Sequence, residues 1–446
     1  MNLGTALLTT ARDQPLDHFA TFETSLDATL VTQALEATGT ASVRRRKLPA
    51  ERAVWLMLGM ALLRDRSIQA VCDHLHLILP DHTGKTTISS AGLAQARDRL
   101  GIAPLKHLFD AVVTRHGREQ LDANRWRGLA VLGIDGTTLR VPDSDENRAH
   151  FTLPSSGAHR ESAYPQARVV GLMALGSHFL LDLKVGTYTE SEESLSSGFD
   201  EQLPDHCVLM VDRGLLDDRR FYRHQQRGEE RHWLVRAKSN LVWTVLEILG
   251  PNEVIAEVPF RRPARRSDPT LPRSMRIRVI CDQLPGFKPQ WLLTSMLDAE
   301  RYPAAEIIEL YHQRWKLETG FDELHTHTLE RLEALRSQTP DRIRQELFAL
   351  AVVYNLVRLE MARVAGHLEV SPLRISYRTS LLLVRTLWLS AWVVAAGRLP
   401  QYLEQLTSDI ALLVLPAKRP RSYPRAVKIK MTRYPRKVRV SAPLPS

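Results

Sequence analysis

Two aspartates and one candidate helix carry the residue types from which phosphate-ester chemistry can be built. Asp135 and Asp212 each close a short apolar run, LAVLGID (129–135) and CVLMVD (207–212), and each is closely followed by glycine, as Asp135-Gly136 and Asp212-Arg213-Gly214. An aspartate at the C-terminal end of a buried strand stands at the rim of a sheet, where α/β ligand sites form. Asp-Gly is equally common turn chemistry. The third element is YHQRWKLETGFDELHTH, Tyr311 to His327, whose spacing predicts one continuous helix. At about 100° per residue, Tyr311, Arg314, Glu318 and His325 share an arc of about 60°. Leu310, Leu317, Phe321 and Leu324 form an apolar stripe beside it. Four polar groups would thus stand at the edge of a core, although a solvated face with an Arg–Glu i,i+4 pair has the same pattern.

Two strand-end aspartates and a helix-borne glutamate could supply three carboxylates to a hard cation. Mg²⁺ prefers few carboxylates and retained waters, and completes its shell with phosphate oxygens. Two such ions about 4 Å apart activate the attacking oxygen and stabilise the leaving one in phosphodiester chemistry.

The elements that must position these residues are visible as changes of pattern. Residues 1–40 are weakly patterned and read as a loosely packed lead-in. Residues 41–125 read as a helical domain with a role in DNA binding, built on VWLMLGMALL (54–63), SAGLAQARDRL (90–100) and LKHLFDAVVTRHG. Residues 126–231 turn to short β-rich runs, including ARVVGLMALG (167–176) and FLLDLKVG (179–186). A second strand-rich stretch, 232–300, holds HWLVRA, VIAEVPF, MRIRVIC and QWLLTSML. Residues 301–365 are helical again and contain Glu318, and further helices are expected over 366–415.

The last segment, 416–446, is a basic arm. The chain has 60 Lys and Arg against 50 Asp and Glu, a net charge of +10. No acid follows Asp409, whereas Lys418, Arg419, Arg421, Arg425, Lys428 and Lys430 do, with four more basic residues up to Arg439. The whole excess lies in the arm, which suits nucleic acid or another anionic surface. Cys72, Cys207 and Cys281 are far apart, which excludes a disulfide scaffold and suits a reducing cytoplasm. The N-terminus does not read as a signal peptide. The apolar stretch 380–397 contains Arg385 and falls short of the ~20 residues of a membrane span, so a buried helix is expected there. Composition is that of an ordinary globular chain.

Tyr311-x2-Arg314-x3-Glu318, Asp135-Gly136-Thr137 and Asp212-x-Gly214 together resemble the DDE transposases of bacterial insertion sequences, in the insertion-sequence-4 family. RRRKLPAERAVWLMLGMALLRDRSI, TLRVPDSDENRAHF and YPAAEIIELYHQRWKLE are also similar to family segments. The resemblance covers nearly the whole chain. It implies an α/β protein with a ribonuclease-H-like catalytic core and a β-rich insertion. The 106 positions from Asp212 to Glu318 leave room for that insertion. It also implies that Asp135, Asp212 and Glu318 are catalytic and bind two Mg²⁺ (or Mn²⁺) ions, with Tyr311 and Arg314 on DNA phosphates. The implied partners are duplex DNA with terminal inverted repeats and target DNA, met by a dimer and without a membrane. Cut-and-paste movement through a hairpin, in the bacterial cytoplasm and at the nucleoid when DNA-bound, completes the expectation. The family's lysine seven positions after the glutamate is His325 here, and its usual aromatic after Asp-x-Gly is Leu215.

Several residues have two readings. Arg236 and Lys238, after HWLVRA, could contact phosphates or end a solvated strand. His325 suits a phosphate contact, and His327, on another helix face, suits simple exposure. For Trp243 and Trp291 the resemblance implies that an aromatic in the insertion can hold an extruded base, and packing in a core is the other reading. The segment Ala94–Arg97 could enter a DNA groove. Two rivals to a transposase stand beside it: a metal-dependent nuclease on the same fold, and a DNA-binding remnant whose chemistry has decayed.

Overall fold

The computed structural model describes residues 28–41, 47–80, 84–154, 164–215, 217–260, 262–283, 289–324, 335–390 and 399–416. For 28, 315–318, 387–390, 399–400 and 402–403 it describes the main chain only. His325, His327 and the basic arm lie outside the described residues.

Helices come first: α1 (Ala28–Ala37), α2 (Ala50–Leu62), α3 (Ile68–His74), α4 (Ser90–Leu100) and α5 (Ala103–Asp122). Ser67 and Ser89 start α3 and α4 by accepting from the backbone N–H three residues on, each at 3.1 Å, which satisfies a donor the helix leaves open. Residues 53–62 of α2 are all buried, as in a helix enclosed on every side. The lead-in is corrected where it is described. Val31, Ala34 and Leu35 of α1 are buried, and the helix packs on α5 and α2. The groove-reading role for Ala94–Arg97 is also corrected. Arg97 is 3% exposed and donates to Ser337 Oγ at 2.7 Å, so its guanidinium serves the interior.

Nine strands form one mixed sheet: β1 (Ala130–Arg140), β2 (Gln166–Ala174), β3 (Phe179–Thr187), β4 (Cys207–Val211), β5 (Arg231–Arg236), β6 (Thr244–Gly250), β7 (Glu253–Pro259), β8 (Ser274–Asp282) and β9 (Gln290–Thr294). Their order is β3-β2-β1-β4-β5-β9-β8-β7-β6. β1, β4 and β5 run parallel, and every other pairing is antiparallel. The strand-rich stretch after residue 231 therefore continues the same sheet, joined where β9 pairs with β5 at Leu234↔Thr294. β6, which the sequence pattern does not reveal, is its outer edge.

Between strands lie α6 (Asp145–Phe151), α7 (Glu192–Ser196), α8 (Asp218–Gln226) and α9 (Arg262–Ser267). After the sheet come α10 (Ala304–His312), α11 (Trp315–Asp322), α12 (Pro340–His367), α13 (Tyr377–Ser390) and α14 (Leu399–Ala411). Alternation along β1 sorts the core into two. Val131 and Leu139 join the N-terminal helices and α12 on one face, while Ala130, Leu132 and Ile134 join Phe221 of α8 on the other. α12 is tied to β3 by Asn355, whose side-chain amide accepts from Leu180 N–H (2.9 Å) and donates to Leu180 O (2.8 Å). Among the described residues no helix is long and apolar enough to cross a membrane.

Two local expectations change. The run ending at Asp135 is not a whole strand, because β1 continues to Arg140 in register with β2. Nor is the stretch from Tyr311 one continuous helix. Arg314 N–H bonds to Tyr311 O at 2.9 Å, and Gln313 N–H to both Glu309 O and Leu310 O. These three-residue bonds tighten the turn between α10 and α11, so a uniform 100° wheel does not hold across it.

Candidate active site at the ends of three parallel strands

Ile134, Val211 and Val235 stand in one row, paired across β1, β4 and β5. All three are buried on the α8 face of the sheet. Asp135 and Arg236, the next residues of β1 and β5, are therefore directed to the opposite face. Asp212 follows directly after the end of β4. The two aspartates, 77 positions apart in sequence, become neighbours through the parallel register alone. β4 ends at Val211, and Arg213–Leu215 form a short 3₁₀ turn in which Leu215 N–H bonds to Asp212 O at 2.9 Å. β1 runs on beside β2. A notch thus opens along β1 just where Asp135 stands, and Asp212 at its lip is exposed.

Asp135 Oδ1 accepts from the N–H of Gly136 at 2.9 Å. Gly136 has no room for a side chain, since a Cβ there would lie 2.7 Å from Glu192 Cγ and Cδ. Glu192 is held from behind by Arg168 Nη1 at 3.0 Å.

α11 closes the notch from the helix-bearing face. Gly171 is the Cα partner of Asp135, and a Cβ at Gly171 would come within 3.0 Å of Phe321 Cζ. A Cβ at Gly320 would be 2.6 Å from Met173 Sδ. One glycine on the strand and one on the helix therefore let α11 lie over β1 and the adjoining part of β2 at the level of Asp135. Glu318 stands in α11 one turn before Phe321. At the head of α11, Arg314 Nη1 is 3.9 Å from Asp212 Oδ1, and its Cζ is 6.0 Å from the Tyr311 ring centroid. Burial pushes the Tyr311 hydroxyl up, the positive charge of Arg314 opposes that, and Asp212 and Arg236 act on it more weakly.

The fold thus brings together Asp135, Asp212, Arg236, Tyr311 and Arg314, with the backbone of Glu318 beside them. Lys238, two residues beyond Arg236, is half-buried. Trp243 and Trp291 lie against each other, 5.9 Å between centroids, in the outer half of the sheet. Glu192 was not singled out from the sequence, because it lies in a run of acids and serines with no distinguishing spacing. Among the described residues no three His, Cys, Asp or Glu side chains meet in a metal-holding group. The described donors at the notch are two carboxylates, an oxygen-only set that fits a hard divalent cation.

Residues 16–110 match the insertion element 4 transposase N-terminal family, and residues 126–356 match the transposase DDE domain family. The transposase InsG for insertion sequence element IS4 of Escherichia coli K12 is 31% identical over 438 residues, 98% of each chain. The InsZ protein of the same organism is 29% identical over 266 residues, 57% of this chain and 87% of that one. Among solved structures, a piggyBac transposase synaptic complex with hairpin DNA aligns with 92% of this chain and 87% of its own, at TM-score 0.43 and 13% identity.

Proposed function

We propose a reaction for this chain from one premise: it belongs to the DDE transposases of the insertion-sequence-4 family. It is accordingly an enzyme acting on DNA. The catalytic carboxylates are Asp135, Asp212 and Glu318. The observation that carries this reading is the register Ile134↔Val211, which sets Asp135 and Asp212 side by side where the parallel pairing of β1 with β4 ends. The strand order β3-β2-β1-β4-β5, antiparallel then parallel, supports a ribonuclease-H-like core for this half of the sheet.

Asp135 and Asp212, with Glu318, would hold two Mg²⁺ or Mn²⁺ ions. Bound there, such ions lower the pKa of the attacking water and stabilise the leaving oxygen. The chain's own groups do the rest. Arg314 and Arg236 grip the phosphate flanking the scissile bond, as charge-assisted donors suited to its oxygens. Tyr311, buried and kept protonated, fixes the Arg314 plane. Water attacks the phosphorus, and the bond to the 3′ oxygen breaks and leaves a free 3′ hydroxyl. That hydroxyl attacks the opposite strand to give a hairpin and expels the 3′ oxygen of the flanking DNA; a second water opens the hairpin, and the restored 3′ hydroxyl then attacks the target, where another 3′ oxygen leaves. His325 takes the phosphate contact of the family's lysine, and two chains hold the two element ends. Lys238 and the basic arm add sequence-independent phosphate contacts.

The test is to incubate the protein with Mg²⁺ and a duplex carrying the element's inverted repeats. Hairpin ends and joined products are expected. Cut ends that never join would reduce the reading to a nuclease, and an intact duplex would leave a DNA-binding remnant.

A further inference from the structure

The α-helical stretch that carries Glu318, Trp315–Asp322, runs on through Glu323 and Leu324 as a π turn. In a folded protein, tertiary packing more than intrinsic propensity holds such a helix in place. Its head touches Asp212 loosely through Arg314, at 3.9 Å. Its tail runs into Glu323, whose carboxylate is enclosed by side chains from two other elements. Arg358 of α12 donates to Glu323 Oε2 through Nη2. His178 Nδ1, from the β2–β3 turn, is 3.1 Å from the same oxygen, and the Tyr354 hydroxyl donates to it at 3.3 Å. The guanidinium of Arg358 is 2.9 Å from His178 Nδ1. It also lies against two rings, with its Cζ 5.0 Å from the Tyr377 centroid and 5.8 Å from that of Tyr354. Arg358, His178, Tyr354 and Tyr377 are all buried. His178 is held at φ 57°, a left-handed conformation that costs a non-glycine residue energy. Gly320 completes the seat, because a Cβ there would stand 3.4 Å from His178 Cγ.

We propose that Glu323 is a positioning residue for Glu318: the Glu323–Arg358–His178 cluster locks the tail of α11 and so sets the third carboxylate against Asp135 and Asp212. The proposal rests on the reading of Glu318 as a catalytic carboxylate. A buried ion pair enclosed by aromatic rings admits far fewer arrangements than apolar packing, which would let a helix slide or roll. Displacement of about 1 Å at a reacting centre costs on the order of 10²-fold in rate. Burial by itself would push the Glu323 carboxyl up, but Arg358 and then His178 hold it down at about 2. The Glu323–Arg358 pair is therefore charged at neutral pH.

The test uses the full-length chain. In the pair Glu323→Met with Arg358→Met both charges are removed together, so no unpaired charge is left buried. His178→Asn is the milder variant, since asparagine tolerates the left-handed backbone. Glu318→Gln is the reference. Three quantities are read: affinity for the end-bearing duplex without metal, Mn²⁺ bound per chain from the resonance signal of the free ion, and single-turnover cleavage. The double variant should bind duplex within about twofold of the parent and need severalfold more Mn²⁺ for half-saturation. It should cut at least roughly tenfold more slowly. His178→Asn should shift the last two quantities in the same direction by less. A folded double variant with parental Mn²⁺ binding and parental cleavage overturns the proposal. Should it not fold, parental values for His178→Asn overturn it. Normal cleavage by Glu318→Gln would instead sink the reading of Glu318, whatever the cluster variants do.

Discussion

The helix Trp315–Asp322 has an ion pair at each end, and the two pairs are opposites. At the head, Arg314 and Asp212 stand 3.9 Å apart, with the Asp212 side chain 56% exposed. At the tail, Glu323 and Arg358 meet in the interior, with the Arg358 side chain 1% exposed. Each pair joins an arginine to a carboxylate, and the distance to water differs. A loosely held pair whose aspartate is exposed contributes little to stability, and that aspartate keeps its oxygens available to a ligand. A buried pair must satisfy both charges locally, and breaking one side leaves the other stranded. The tail is built to stay and the head to receive.

This contrast can be broken in order of effect. The largest loss is expected at the head. Asp212→Asn, and equally Asp135→Asn, should lower single-turnover nicking by roughly 10³-fold or more, since metal-supplied stabilisation amounts to several kcal/mol. Asp212→Asn should nevertheless change the unfolding free energy by less than about 1 kcal/mol. Cleavage near the parental rate would remove that aspartate from the site.

Next comes Arg358→Met alone, a change at the tail. Stranding the Glu323 carboxylate should cost about 3–5 kcal/mol in denaturant unfolding. A cost like that of an exposed pair would end the distinction between the two ends. The pH dependence has a fixed sign. The folded carboxyl of Glu323 lies at about 2, below its unfolded value near 4.5. Its contribution is complete above about 4.5 and is lost as pH falls through about 2. Acid unfolding should therefore flatten over that window in Glu323→Gln with Arg358→Met, and an unchanged acid limb would contradict the burial of this charge.

A smaller effect is expected from Arg314→Ala and Arg236→Ala. Each removes charge-assisted contacts worth about 1.5–3 kcal/mol, so cleavage should drop by roughly 10- to 100-fold. Lysine at either position should recover part of it, which gel-based cleavage assays would show. The smallest change in chemistry should follow removal of residues 418–446. Cleavage at saturating duplex should hold, while the slope of log affinity against log salt becomes shallower because fewer counterions are released. An unaltered slope would show that the arm does not meet DNA.

Legibility from sequence varied with the range of the interactions. The Asp-Gly and Asp-x-Gly elements and the Tyr-x2-Arg-x3-Glu spacing could be read directly, because they are local patterns of residue type. The strands carrying Val131–Ile134, Val208–Val211 and Trp233–Val235 were equally plain as apolar runs. Arg236 had two readings until the pairing Val211↔Val235 placed it in the row of the aspartates. The break at Gln313 and Arg314 left no trace in composition, since both residues keep helical dihedral angles. Arg97 looked like a surface residue of a recognition helix. Its partner Ser337 is 240 positions away, and no local pattern reports such a contact.

What the sequence by itself determined is the inventory: two aspartates after apolar runs, a Tyr-x2-Arg-x3-Glu spacing, an acid-free basic tail and the family that these imply. What only the tertiary structure decided is adjacency. Side-chain type and period are properties of a few consecutive residues and survive in any context. The register of β1 on β4, the two-glycine seat of α11 and the enclosure of Glu323 by Arg358 and His178 each join segments far apart along the chain. Such contacts depend on the packing of the whole interior, where burial decides whether a charge is locked or left free to bind.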